Sequence, residues 1–87
     1  MKAVAAHEGV SVAELSGPSR LRSLSRVRSL CALLGRELGR IPLAETARSF
    51  GRDPSTISRD VAHLERRLAE DPAEARRLAE LRKLLSA

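Results

Sequence analysis

Aromatic side chains are nearly missing from this chain, which has one Phe and neither Trp nor Tyr in 87 residues. Its core must therefore be aliphatic, and Ala and Leu at this density favour helices. The same lack removes the platforms on which single-stranded nucleic acid usually stacks, so single-strand binding ranks low. Cysteine is reduced to Cys31. One thiol excludes an intramolecular disulfide, and its apolar neighbours predict a small buried side chain rather than a reactive one. No stretch approaches the ~20 apolar residues of a membrane span, and residues 1–13 lack a signal peptide's long hydrophobic run, so a cytoplasmic protein is the simplest expectation. His7 and His63 share no metal-ligand spacing with Cys31 or with a carboxylate pair, and no nucleophile, base and pocket come together. Nor does the phosphate-binding pattern GxxxxGK[ST] occur. The expectation is no enzyme, no cofactor, no metal and no small-molecule substrate.

The length suits one domain over residues 1–87 with a small core. Its formal charge of +5 is unevenly placed. Residues 1–17 carry Lys2 against Glu8 and Glu14, and residues 68–87 balance four acids with four bases. Residues 18–67 hold eleven Arg against five acids, so the whole excess lies in the middle of the chain. Such a concentration suits a phosphate backbone as partner, although an Arg-rich solvated surface gives the same count.

Every periodic segment has a helical period. Ala3 to His7 suits a short helix, and Ser11 suits the cap of a second one through Leu15 before Ser16, Gly17 and Pro18 break it. A basic, Ser-rich stretch follows with Arg20, Arg22, Arg26 and Arg28. Val27, Leu30, Cys31, Leu34 and Leu38 then give one apolar face to a helix ending near Gly39. Leu43, Ala47 and Phe50 share a face of a short helix that Gly51 closes. Asp71, Pro72 and Glu74 resemble a capping box that opens a last helix through Leu78, Leu81 and Leu85. With no strand-like alternation of useful length, the expected fold is all-α, a small domain of about five to six helices. Residues 1–19 would form a linker with short helices, and residues 20–85 the core. The leucines of the last helix are read mainly as core, with an apolar strip for a protein partner as the alternative.

GRDPSTISRD, residues 51–60, carries the functional signal. Gly51 can enter a positive φ, Asp53 can cap a helix, and Pro54 fits the first helical position, where its missing N–H costs nothing. Ile57, Val61, Leu64 and Leu68 bury one side of the new helix and leave Ser55, Thr56, Arg59 and His63 exposed. Ala47 is small where two helices would cross, and Phe50 and Ile57 fill the wedge between them. This is the pattern of a helix-turn-helix, whose second helix presents its N-terminal residues to base edges in the major groove. Double-stranded DNA is the expected partner.

In order and spacing the chain resembles the C-terminal DNA-binding domain of the bacterial replication initiator DnaA, from Val4 to about Leu85. VAAHEGVSVAEL is similar to that family's linker helix, SRLRSLSRVR to its basic loop, LCALLGREL to its long helix and LAETARSF to its first motif helix. GRDPSTISRD falls on the signature GGRDHTTVLHA, and LERRLAEDPAEARRLAELRKLL on the last two helices. The resemblance implies that Arg20 enters the minor groove, with Arg22 and Arg28 as basic companions, and that Arg36 contacts a phosphate. It implies that Asp53, Ser55 and Thr56 approach bases or phosphates, beside Arg52, Pro54 and Arg59 of the same motif. Asp53 also has the plainer reading of a cap, and Arg59 that of a partner to nearby acids.

Two departures from the signature bear on specificity. One glycine stands where the family has two, and Pro54 stands where the family has a His, which replaces a donor with a ring that has none. DNA binding is expected to persist with an altered sequence preference. GRDPSTISRD also resembles the LGRSPSTISRE-type motif of some insertion-sequence transposases, and DnaA-like domains appended to transposases related to the REP-associated tyrosine enzymes are a second relative.

Overall fold

The computed structural model of the chain describes residues 2–18 and 22–86. Six helices follow one another: α1 Lys2–Glu8, α2 Val12–Ser16, α3 Arg22–Gly39, α4 Leu43–Ser49, α5 Pro54–Glu70 and α6 Pro72–Ser86. No strand occurs among the described residues, so the fold is all-α. No described helix is long and apolar enough to cross a membrane.

The long helix α3 is the centre on which α1, α2, α4 and α5 pack, while α6 packs mainly on α5 and α1. Leu24, Val27, Leu30, Cys31 and Leu34 line its buried side, at steps of three and four. The basic stretch before Val27 is helical from Arg22 onward rather than a loop. Leu24, three residues ahead of Val27 and 5% exposed, extends the apolar stripe, and its burial outweighs the weak helix propensity of the serines around it. Within the helix, Ser29 donates its hydroxyl to the Ser25 carbonyl at 2.9 Å. Cys31 is buried in this face, and burial pushes its thiol up to about 11, as expected of an inert packing residue.

The two N-terminal helices belong to the same core, since Val4, Ala5 and Leu15 are buried with the residues of α3 to α6. Gly9 ends α1 at φ 73°, with the Val10 N–H reaching the Ala5 carbonyl at 3.0 Å and the Gly9 N–H reaching Ala6 at 3.2 Å. This six-to-one and five-to-two pair is a Schellman ending. Helix α2 opens on a full capping box: Ser11 Oγ accepts from the Glu14 N–H at 3.0 Å, and the Ser11 N–H donates to Glu14 Oε1 at 3.1 Å.

Asp71 caps α6, accepting from the Ala73 and Glu74 N–H groups at 3.0 and 3.4 Å. The expected capping box is only half formed. Its other half is absent because the Asp71 N–H closes α5 on the Arg67 carbonyl, while Glu74 turns away to a distant cation. Arg26 of α3 forks onto that carboxylate at 3.0 and 2.9 Å and also lies 3.4 Å from Glu8 of α1, so one guanidinium joins three helices. Farther along, Arg82 forks onto Glu37 at 2.9 and 2.8 Å. Leu78 and Leu81 fill the core between these two clips.

The Arg26 hydrogen bonds hold the Glu74 carboxyl below its ordinary range, against the opposing effect of burial. A carboxylate with a depressed pKa stabilises the fold above its unfolded value of about 4.3, and the contribution is lost as pH falls through the lower folded value. Glu74→Gln should therefore cost about 1 kcal/mol at neutral pH, between the values for exposed and fully buried pairs. In denaturation midpoints measured across pH, the gap between variant and wild type should narrow below about pH 4. A gap that stays constant into that acid range would refute the link.

Candidate nucleic-acid interface

Helices α4 and α5 form a bihelical unit whose turn is set by backbone geometry. Gly51 sits at φ 65°, with the Arg52 N–H reaching the Ala47 carbonyl at 2.8 Å and the Gly51 N–H reaching Arg48 at 3.0 Å. A Cβ at Gly51 would meet nothing within 4 Å, so glycine is required here by the left-handed backbone and not by crowding. Ala47 and Phe50 are fully buried and Ile57 is 1% exposed, which fills the wedge between the two helices. Asp53 then caps α5, its carboxylate accepting from the Ser55 N–H at 2.8 Å, and Pro54 takes the first turn.

The two faces of α5 separate cleanly. Ile57, Val61 and Leu64 are buried, Leu68 is partly buried, and Ser55, Thr56, Ser58, Arg59 and His63 are exposed. Asp53 and Pro54 are exposed at the helix start. Hydroxyls, a carboxylate and a long cation thus stand together on the solvent side of one helix front. Arg59 makes no ion pair among the described residues, contrary to the reading that it serves nearby acids.

The other basic candidates divide. Arg36 of α3 is exposed and stands 3.4 Å from Glu65 of α5, with side-chain exposures of 43% and 52%. An exposed pair of this kind contributes little and exchanges readily for a phosphate. Arg28 is 3% exposed and donates to the Leu15 carbonyl at 2.7 Å and the Gly17 carbonyl at 3.5 Å. Arg52, half-buried in the turn, donates to the same Gly17 carbonyl. These two hydrogen-bond the end of α2 and line a groove with Thr56 and Asp60 of α5. Arg20 lies outside the described residues, as does the side chain of Arg22.

One cation was not singled out from the sequence. Arg48, in the last turn of α4, is exposed and makes no ion pair among the described residues. Set between Ala47 and Ser49 on the first helix of the motif, it reads in sequence as an ordinary solvated charge. The apolar strip considered for α6 is largely consumed: Leu78 and Leu81 are core, Leu85 is partly buried, and Leu84 alone of the four is exposed, at 64%.

Comparison with known proteins agrees with this geometry. Residues 1–63 match the family described as bacterial dnaA protein helix-turn-helix. Chromosomal replication initiator proteins DnaA from two strains of Cereibacter sphaeroides are 38% identical to the chain over 85 residues, which is 97% of the chain and 19% of each relative. The corresponding protein of Roseobacter denitrificans is 32% identical over 83 residues, 94% of the chain and 18% of its own length. The chain thus spans about a fifth of the length of the curated relatives it matches.

The cap on α5 can be tested apart from any ligand. Asp53→Ala should lower stability by about 1 kcal/mol, and Asp53→Asn, which keeps an acceptor, by only a few tenths. Thermal denaturation of the three proteins measures this; an alanine variant as stable as wild type would show that the cap contributes nothing.

Proposed function

The chain belongs to the bacterial DnaA helix-turn-helix family, and from that premise we propose that it binds double-stranded DNA sequence-specifically, with the front of α5 in the major groove. The observation that carries this reading is the exposed polar front of α5, held rigid by the buried Ile57, Val61 and Leu64 behind it. Base edges are read by short hydrogen-bonding groups on a fixed frame, and a helix whose back is locked in a core supplies one.

In this reading Asp53 accepts from a cytosine amino group while its other role, the cap, keeps it in place. Ser55 and Thr56 meet a base edge or a phosphate, and Arg59 meets a guanine or a phosphate. Arg36 leaves Glu65 for a phosphate, and Arg48 approaches the backbone that α4 crosses. The basic segment with Arg20 and Arg22 reaches the adjacent minor groove, where a narrow groove concentrates negative potential. Pro54 has no side-chain donor, so the base pair that faces it is contacted only by shape and apolar surface. The preferred site therefore departs from that of relatives with a donor at this position. Relatives named as chromosomal replication initiators make the binding of replication-origin DNA one expected setting.

Titration with duplex DNA at several salt concentrations tests the proposal. Affinity should fall steeply with salt, as for any protein that displaces counterions from several phosphates. Arg36→Ala should weaken all sequences by a similar factor and reduce the salt slope by about one contact, whereas Asp53→Asn should relax preference at one base pair. Absence of binding at low salt would overturn the proposal.

A further inference from the structure

Two arginines that the DNA reading leaves aside converge on the end of one short helix. The last carbonyls of a helix have no partner within it, and α1 and α4 solve this with Gly9 and Gly51 in left-handed backbone. Helix α2 does not. Its closing Gly17 lies at φ −77° and ψ 174°, an extended conformation that leads the chain out of the helix, and its N–H turns back to the Glu14 carbonyl at 3.2 Å. The carbonyls left over are met by side chains. Arg28 donates Nε–H to the Leu15 carbonyl at 2.7 Å and an Nη2–H to the Gly17 carbonyl at 3.5 Å, and Arg52 donates Nη2–H to that same Gly17 oxygen.

We propose that Arg28 and Arg52 are positioning residues, which lock the end of α2 to the front of the recognition helix and so hold Pro18 beside Thr56. This rests on the DNA-binding reading of α5 and assigns the two arginines a different part in it. Three elements meet at the lock. Arg28 comes from the second turn of α3, Arg52 from the turn between α4 and α5, and Gly17 from the exit of α2, whose Leu15 side chain is fully buried. Pro18, Ser25, Arg28, Arg52, Thr56 and Asp60 line one groove there, so the exit of α2 and the opening of α5 share a wall.

The chemistry favours a lock over a phosphate ligand. Arg28 is 3% exposed, so it would have to leave the core to reach DNA. Its planar fork spans two carbonyls two residues apart, which a lysine's single ammonium does not reproduce. Burial and the neighbouring Arg52 charge both lower the pKa of Arg28, and Asp60 opposes them.

The test measures wild type, Arg28→Lys, Arg28→Gln and Arg52→Met against a preferred duplex, obtained by selection from a random pool, and an unrelated duplex, each at several salt concentrations. A lock predicts that all three variants reduce the ratio of the two affinities about tenfold, with the salt slope unchanged. A phosphate ligand predicts instead that Arg28→Lys behaves as wild type while Arg28→Gln weakens both duplexes equally and reduces the slope by about one; that result would overturn the proposal. Arg52 is half-buried in a turn, so Arg52→Met decides the matter if the Arg28 variants fail to fold. In the wild type, the Arg28 Nε–H signal in NMR should be protected from exchange both without and with DNA, and its loss on adding DNA would also count against the lock. If wild type binds neither duplex, the DNA reading falls and the positioning role with it, an outcome distinct from binding with the ligand pattern.

Discussion

Everything that α5 can present to a partner depends on the wedge where Ala47 and Phe50 of the preceding segment meet Ile57. Phe50 is the one aromatic residue of the chain, and it is fully buried there. A fully buried Phe contributes on the order of 2 to 3 kcal/mol, which is a large share of what a domain this small has in hand. Ala47 sets how closely the helices approach, and Gly51 sets the hand of the turn between them. With these three in place, Asp53 can fall at the cap position and the exposed residues after it acquire fixed directions. Specificity in such a motif is a matter of fixed directions more than of contact area.

The arginines of residues 18–67 supply the excess charge, but the fold uses them in opposite ways. Arg26, Arg28 and Arg52 turn inward, one onto two carboxylates and two onto backbone carbonyls at the end of α2. Arg36, Arg48 and Arg59 remain at the surface. An inward guanidinium satisfies several acceptors at once through its planar fork, which suits a chain with few aromatics and a thin core. An outward one is weakly held and can move to a phosphate. Net charge therefore overstates the number of cations exposed at the surface.

The helix-turn-helix was legible in the sequence because local and periodic signals coincide there. Gly51, Asp53 and Pro54 mark the boundary, and Ile57, Val61 and Leu64 repeat behind it. Where a distant partner competes with a local signal, the sequence misleads. Glu74 stands at the position of a capping box, yet Arg26, forty-eight residues away, takes its carboxylate with two short bonds. Residues 22–26, which the resemblance assigns to a basic loop, are helical because the apolar stripe begins at Leu24 rather than at Val27. Nothing local to Arg28 reveals that the carbonyls of Leu15 and Gly17 will come to it.

Pro54 is where this chain departs most consequentially from the DnaA pattern, since it keeps the helix start and removes a donor from the reading surface. In the proposed reading, preference then rests on Asp53, Ser55, Thr56 and Arg59, all exposed on the same helix front. The most direct measurement is an NMR titration of the protein with duplex DNA carrying a selected site. The largest backbone shifts should fall on residues 53–59, with the buried face of α6 unmoved. Shifts confined to the exposed apolar residues Leu38, Ile41 and Leu84, with residues 53–59 unchanged, would contradict the reading of α5 as the DNA-recognition helix.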